Sequence, residues 1–350
     1  MKKDKKKVIT QQNLEESRDE ILSKGKKFRY PFQYSKHRLV NNAILIAILA
    51  IVVFGFMCWF RLYQAQDTGD VMYRIARTFR MPVAKIDGVK VSYGDYLMLY
   101  RSSIKSIEHQ QGTLDDSKDS ERLRAYYKRQ ALSDAEDYAY AAAKLAEANN
   151  KVTDEEIDEV IHDHKMIDGE ERSDSAFQGI IRENFGLSMN EYRDMIRMTL
   201  SKKKYAESID KNAQKMAKAV QDAIDGGEKD FAKIEESYKE NDIFSFESLS
   251  EMVDVTNLDS GRAAMAMSLK EVGDVSPRFI SKNGNGYYFV KLTEREGSKV
   301  KYDSIWIRFT ELDKILEGLR ADNKVEEMIE IKEVVDDKEN ADSSEEKKED

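Results

Sequence analysis

Residues 82–96 read PVAKIDGVKVSYGDY, and this stretch sets the interpretation of the rest of the chain. Two short β-rich runs flank Asp87-Gly88, a dipeptide that suits the two-residue turn of a β-hairpin. Ser92 then stands where it can cap a helix, and apolar side chains recur every three or four residues from Tyr93 to Ile107. The stretch therefore predicts a hairpin that leads directly into an amphipathic helix.

Downstream of this hairpin, the sequence predicts a series of helices that ends at Gly226-Gly227. An apolar stripe along residues 123–145 predicts one long helix to about residue 148. We expect a break in a later helix near residues 208–211. Two capping boxes, in which a hydroxyl and a later carboxylate satisfy each other's free backbone donors, open two more helices: Thr153 with Glu156, and Ser188 with Glu191.

Upstream of the hairpin, Ala43–Phe60 is a run of 18 residues without charge or proline. A helix needs about 20 such residues to cross the hydrocarbon core of a bilayer. A cleaved signal peptide is the alternative, but the run exceeds the usual apolar region and no small-x-small cleavage site follows it. We therefore expect residues 43–62 to form a retained transmembrane helix in contact with lipid.

The distribution of charge predicts the topology of the chain, and the position of its single cysteine indicates whether the outer part can contain a disulfide. Residues 1–42 carry a balance of +7 within a chain of net charge -9, so a basic head precedes an acidic body. The positive-inside rule then places the amino end in the cytoplasm and the rest outside. An acidic body argues against nucleic acid as a partner. The single cysteine, Cys58, lies inside the apolar run, so the outer part has no disulfide and depends on its apolar core.

Beyond residue 240 the sequence changes to short β-like runs separated by turns. The runs Tyr287–Leu292 and Val300–Phe309 alternate in the way that half-buried strands do, and we expect them to pair antiparallel. Thr310 would then cap a closing helix through about Arg320. The alternative, that residues 300–309 pair elsewhere, stays open. Residues 332–350 are rich in charge and poor in apolar side chains, and we expect a disordered acidic tail.

Several of these pieces together resemble the SurA, PpiD and PrsA group of extracytoplasmic foldases. Residues 82–96 are similar to the opening of their chaperone lobe, and residues 152–157 with 187–193 to its paired helices. Residues 268–277 and 286–292 are similar to parts of a parvulin-type peptidyl-prolyl isomerase domain. The resemblance implies an α+β fold with a single N-terminal transmembrane helix, a mainly helical SurA-like chaperone lobe and a small antiparallel-sheet parvulin-like domain. The expected division is a basic cytoplasmic segment (1–42), the transmembrane helix (43–62), the SurA-like lobe (63–210), a degenerate parvulin-like domain (211–331) and the tail (332–350).

The parvulin resemblance departs from its family where the chemistry would lie. Residues 205–218, where the first strand and its histidine belong, contain no histidine, and Tyr288 stands at the second histidine position. The glycine turn is missing from residues 238–248, where Asp242 is the residue that could replace the family's acidic group. We assign no catalytic, cofactor-binding or metal-binding residue and no cofactor. The expected vestigial pocket consists of Asp242, Phe244, Phe246, Met265, Met267 and Tyr288.

A methionine-rich apolar surface on the helix after Ser188 is the candidate for binding client polypeptides. Tyr192, Met195 and Met198 lie on this surface, and methionine side chains can repack around varied apolar peptides. Core packing of the same residues is the alternative. His162 and His164 are two residues apart on a helix and point to different faces, so we do not expect them to chelate one metal ion. His164 belongs with the apolar stripe of its helix.

These observations predict a membrane-anchored extracytoplasmic chaperone that holds unfolded or newly exported polypeptides without efficient prolyl isomerisation. One alternative is an active isomerase of the parvulin type. A second is a bitopic scaffold in an envelope or division complex, suggested by the length of the cytoplasmic head. The sequence does not indicate an oligomeric state or a particular client.

The distribution of Lys and Arg around Ala43–Phe60 predicts the topology of the chain. Residues 64–350 should lie outside the cytoplasm, because the positive charge crowds the amino side of the apolar run. Protease added to intact protoplasts should digest the C-terminal region and leave a membrane-associated amino-terminal fragment. A C-terminus that is protected until the membrane is permeabilised would contradict this orientation.

Overall fold

The computed structural model describes residues 11–29, 38–167, 170–257, 259–281 and 283–332. The predicted acidic tail lies outside the described residues from position 333 onward. The chain divides into two compact units, residues 1–66 and 67–350. The helices are α1 (Gln11–Arg29), α2 (Arg38–Trp59), α3 (Asp70–Thr78), α4 (Tyr93–Gln111), α5 (Lys118–Glu147), α6 (Asp154–Lys165), α7 (Asp174–Phe185), α8 (Met189–Ile209), α9 (Lys211–Asp225), α10 (Phe231–Tyr238), α11 (Arg262–Ser268) and α12 (Glu311–Ala321). The strands are β1 (Pro82–Ile86), β2 (Val89–Ser92), β3 (Met166–Ile167), β4 (Glu170–Glu171), β5 (Phe244–Ser248), β6 (Val253–Asp254), β7 (Phe279–Ile280), β8 (Gly286–Glu296), β9 (Lys299–Arg308) and β10 (Val325–Glu327).

The first unit contains the predicted apolar helix. Helix α2 continues into a π-helical turn, Phe60–Gln64. The span Val40–Gln64 has 25 residues and a mean hydropathy of 2.8, which is long and apolar enough to cross a membrane. Its apolar side chains, such as Leu45 and Ile51, are exposed. The prediction of one N-terminal apolar helix of membrane-spanning length is confirmed.

The hairpin and helix at residues 82–96 form as predicted. Strands β1 and β2 pair antiparallel, and Asp87 and Gly88 both have positive φ, 47° and 82°, as a two-residue hairpin turn requires. The Ser92 hydroxyl accepts a hydrogen bond of 3.2 Å from the Asp95 amide and so caps α4. A Cβ at Gly94 would lie 2.9 Å from the Cα of Arg77, so glycine here allows α3 to pack closely against α4.

The helical part is organised around α5, which packs against α4 on one side and α8 on the other. Helices α6 and α7 contact α8. Both predicted capping boxes are present, with Thr153 and Glu156 opening α6 and Ser188 and Glu191 opening α8. Helix α7 ends at Gly186, whose φ of 67° is the left-handed conformation of a helix C-cap.

A second sheet follows the helices, with the strand order β5-β9-β8-β7 and with β6 also paired to β9. Tyr287 pairs with Ile307 and Leu292 with Tyr302, so the predicted antiparallel pairing of the two runs is confirmed. The connecting turn is Gly297-Ser298. Helix α11 covers one face of the sheet, while α9 and α10 cover the other. Strand β9 is the last strand of this sheet in sequence, and it is central because it lies between β5 and β8.

The chain then returns to the first sheet. Strand β10 pairs antiparallel with β1, with Ala84 opposite Glu327 and Ile86 opposite Val325, which gives the order β10-β1-β2. Helix α12, which precedes this strand, packs against α8. Residues 325–327 thus lie in the sheet of the helical lobe, although their sequence position falls within the predicted second domain, 211–331.

One buried carboxylate holds the junction between these parts. Asp210, which is 2% exposed, separates α8 from α9, at the predicted break. Its Oδ1 accepts from the Ala213 amide at 2.9 Å and so caps α9. Its Oδ2 accepts from the amides of Thr310 at 2.7 Å and Glu311 at 3.2 Å. Thr310 stands at the N-cap position of α12, as predicted, but its side chain makes no capping hydrogen bond, and the Asp210 carboxylate accepts from the first two amides instead.

Replacing Asp210 should therefore destabilise the protein more than the loss of an ordinary cap. Asp210→Ala leaves one buried and two partly buried amide donors without this partner, and we expect a loss of about 3 kcal/mol in the free energy of unfolding. The stability of Asp210→Asn should lie between that of the wild type and that of Asp210→Ala, because its one amide oxygen can accept from only one of the two helices. Urea unfolding of the full chain in detergent, followed by circular dichroism, measures the loss.

The matched control is Asp230→Ala. Asp230 caps α10 through a single exposed hydrogen bond of 3.1 Å to the Ala232 amide, and its loss should cost about 1 kcal/mol. If Asp210→Ala costs no more than Asp230→Ala, the double cap does not contribute as argued.

Candidate functional site

Tyr192, the first residue of the predicted client surface, is buried. Its hydroxyl lies 2.7 Å from Nδ1 of His164, and its ring meets that of Phe177 edge to face at 5.8 Å. Burial raises the pKa of Tyr192 to about 12. Tyr192 thus connects α8 with α6 and α7. The contact of His164 with Tyr192 agrees with the prediction that His164 belongs with the apolar stripe of its helix. The side chain of Tyr192 therefore holds α8 in position and is not part of its exposed surface.

The two methionines of the surface are half buried. Met198 lines a cavity of 640 Å³ together with Pro82 and Val91 of the hairpin. Met195 lines neither this cavity nor the larger one beside it. The structure therefore brings Met198 to an open cavity, while Met195 and Tyr192 lie elsewhere on the helix.

The larger cavity, of 810 Å³, lies among α3, α4 and the start of α8. Its apolar lining comes from Tyr73, Met98, Tyr100, Ile104, Phe185 and Leu187. This cavity was not predicted from the sequence, because its residues come from separate helices. The usable signal was the spacing of basic residues four apart on α4 and three apart on α3, which places positive charge on one face of each helix.

Arg77 lines both cavities and is held in a polar network. It donates to the Tyr73 hydroxyl at 2.8 Å, pairs with Asp194, and lies 3.6 Å from Glu191, the capping-box carboxylate of α8. Burial opposes ionisation of Glu191, but hydrogen bonds from Ser188 and Tyr73 and the charge of Arg77 lower its pKa overall. The network joins α3 to the start of α8 between the two cavities.

The six residues of the predicted vestigial pocket do not share one cavity. Tyr288, Met265 and Met267 lie on the α11 face of the second sheet, where both methionines pack near Val290 and Leu292. Phe244 and Phe246 pair with Ile307 and Ile305 and point to the opposite face, where Phe244 meets Tyr238 of α10. Asp242 is exposed, and its backbone carbonyl accepts from Arg308 at 2.7 Å.

Aromatic rings fill the α11 face of this sheet. Tyr288 stacks on Trp306 with an interplanar angle of 6° and on Phe279 with 27°. The Arg262 guanidinium lies 5.4 Å from the Tyr288 ring centre and pairs with Glu247.

A buried charge cluster fastens α12 to the lobe. Arg320 donates to Asp137 at 2.6 Å and lies 3.5 Å from Glu136, and Lys202 donates to the other oxygen of Asp137 at 2.8 Å. Glu136 is 2% exposed, and its Oε1 has no hydrogen-bond partner among the described residues. Burial, with a smaller contribution from the nearby Glu327 carboxylate, raises the pKa of Glu136 to about 7 despite Arg320.

Within the described residues, the fold and its cavities thus define a protein with one helix of membrane-spanning length, a helical lobe with open cavities and a small α+β region. Residues 34–206 match the family model of the SurA-like N-terminal domain. This domain supports a SurA/PpiD-type foldase, and the predicted resemblance is confirmed for this part of the chain. The comparison with curated proteins finds no match. The family match does not extend over residues 211–331, and the parvulin-like interpretation of that part stays a prediction.

The buried Glu136 makes stability depend on pH. Because its folded pKa of about 7 exceeds the unfolded value of about 4.3, its contribution to stability is fully present below the unfolded value and is lost as pH rises through 7. Glu136→Gln keeps the shape but carries no charge. We expect the variant to be more stable than the wild type at pH 8, by up to about 4 kcal/mol, with the difference shrinking as pH falls and vanishing below about pH 4.

Urea unfolding at a series of pH values measures this difference. Glu121→Gln, an exposed position on the same helix, is the control and should not alter the pH profile. A Glu136→Gln variant that is less stable than the wild type at pH 8 would show that the ion pair with Arg320 outweighs the burial of the charge.

Proposed function

We propose that this protein is a membrane-anchored extracytoplasmic chaperone that holds unfolded or newly exported polypeptides and does not isomerise prolyl bonds efficiently. The observation that carries the proposal is the SurA-like N-terminal domain at residues 34–206, whose matched residues include the span Val40–Gln64. That domain implies binding of unfolded polypeptides. The span supports anchoring through lipid, with the amino-terminal segment in the cytoplasm and residues from 64 onward outside.

The cavities of the lobe suit an extended polypeptide. Both combine apolar walls with charged side chains, and a peptide has the same mixture of apolar side chains and polar backbone. Met198 contributes a flexible, polarisable wall that can adapt to different client side chains. In this proposal, Met198 contacts the client, Met195 extends the surface, and Tyr192 holds α8 in position.

The small sheet domain contributes stability rather than catalysis in this proposal. An isomerase must bind the proline ring in an apolar pocket and stabilise a twisted amide. Here Tyr288 stacks between Phe279 and Trp306, and all four histidines of the chain precede residue 165. The region 211–331 would then be a degenerate parvulin-like domain that supports the lobe, 63–210.

Two assays on the full chain in detergent separate the proposed function from its rivals. The protein should suppress aggregation of an unfolded client, and it should leave the rate of a proline-limited refolding reaction unchanged. Met198→Asp should weaken the suppression several-fold, because it puts a charge into an apolar wall of the cavity. Met166→Asp, at a partly exposed position in the β3–β4 hairpin, is the matched control and should retain full suppression.

Each assay can contradict the proposal. Acceleration of refolding by the wild type would indicate an active isomerase. If the protein neither suppresses aggregation nor accelerates refolding, the scaffold alternative is favoured. If Met198→Asp lowers the unfolding midpoint as much as it lowers suppression, Met198 is a core residue and the client binds elsewhere.

A further inference from the structure

The two cavities of the helical lobe share an excess of positive charge. Arg77 lines both, and together they are lined by eight Arg or Lys side chains and five Asp or Glu side chains. The whole chain has the opposite balance, with a net charge of -9. The cavities therefore form a local basic region on an acidic protein.

Most of the acidic side chains in these cavities are already engaged. Asp70 pairs with Arg101, while Asp194 and Glu191 both lie against Arg77. Burial raises the pKa of Asp95, and the charge of Arg77 opposes this rise. Three of the five acidic side chains of the lining are thus paired with cations of the fold, whereas Asp95 and Glu108 have no ion pair among the described residues.

Four of the cations are not engaged in this way. Arg74 and Lys105 in the larger cavity, and Arg80 and Lys90 in the smaller one, are exposed. None of the four has an ion-pair partner in the part of the chain that the structure describes. They can therefore pair with carboxylates that a ligand supplies.

The apolar lining restricts what that ligand can be. Tyr73, Tyr100, Ile104 and Leu187 offer aromatic and aliphatic surface inside the larger cavity. A simple anion would leave this surface unused, whereas a peptide can place apolar side chains on it and acidic ones beside the cations. Charge complementarity of this kind increases association rates and selects among partners.

We propose that the lobe prefers client segments in which Asp or Glu residues flank aromatic or aliphatic ones. The acidic residues pair with Arg74 and Lys105 at one cavity and with Arg80 and Lys90 at the other, while the apolar residues pack against the lining between them. This inference rests on the proposed chaperone function and adds the class of client to it.

Three labelled peptides of about twelve residues, roughly 40 Å long when extended, test the preference. They share one aromatic and aliphatic centre and carry flanks of Asp, Ser or Lys. The full chain is held in nanodiscs of neutral phosphatidylcholine, and affinity is measured by fluorescence anisotropy. The Asp-flanked peptide should bind about 10-fold more tightly than the Lys-flanked one, and the ratio should shrink at high salt.

Charge reversal of two unpaired cations should remove this preference. The variant Arg74→Glu with Lys105→Glu should bind the Asp-flanked peptide about 10-fold more weakly and the Ser-flanked peptide with unchanged affinity. The control, Lys229→Glu with Lys239→Glu, makes the same change at exposed positions of the second domain and should keep the preference. Circular dichroism melting checks that each variant is folded.

The outcomes separate this inference from the proposed function. If the Asp- and Lys-flanked peptides bind equally tightly, the charge preference is wrong and the chaperone function stands. If no peptide binds, the proposed function itself fails. If anionic phosphatidylglycerol in the nanodisc abolishes the preference, lipid occupies the cations and the client assignment is overturned. An equal loss for all three peptides in the folded Arg74/Lys105 variant would also overturn it.

Discussion

The structure of the second unit, residues 67–350, depends on one buried carboxylate at the point where three helices meet. Asp210 follows the last residue of α8, caps α9 through Oδ1 and holds the start of α12 through Oδ2. Two helix N-termini with their positive dipole ends aim at the same anion, which compensates for its burial without a basic partner. The direction of α12, and with it the path of the chain back to the lobe, is set at this residue.

The return of the chain is fastened at two further places. Arg320 of α12 reaches the carboxylates of Glu136 and Asp137 on α5, and Lys202 of α8 reaches Asp137 from the other side. Strand β10 then completes the first sheet against β1. The smaller cavity borders the β1–β2 hairpin and helix α8, so the elements that shape it are held by residues more than 100 positions away in sequence.

The features that the sequence predicted are those that neighbouring residues determine. The Asp87-Gly88 turn, the Ser92 cap and the two capping boxes each satisfy local backbone geometry and could be recognised residue by residue. The β8–β9 hairpin was predictable for the same reason. The Asp210 contact with Thr310, 100 residues away, was not, because no local pattern distinguishes a carboxylate that caps one helix from one that caps two. The basic cavities were missed for a related reason, since their cations come from separate elements.

The topology also constrains when the fold can form. Strand β9 lies between β5 and β8, and β10 pairs with β1 across 241 residues in sequence between Lys85 and Glu326. Neither sheet can be complete until the C-terminal part of the chain is present. Such non-local pairing makes loop closure costly before the contacts form, and it slows folding. Until then β1 and β8 present unpaired edges, which are sites of aggregation. The charge cluster around Asp137 and the double cap at Asp210 act after closure, and they stabilise the closed chain once β10 is in place.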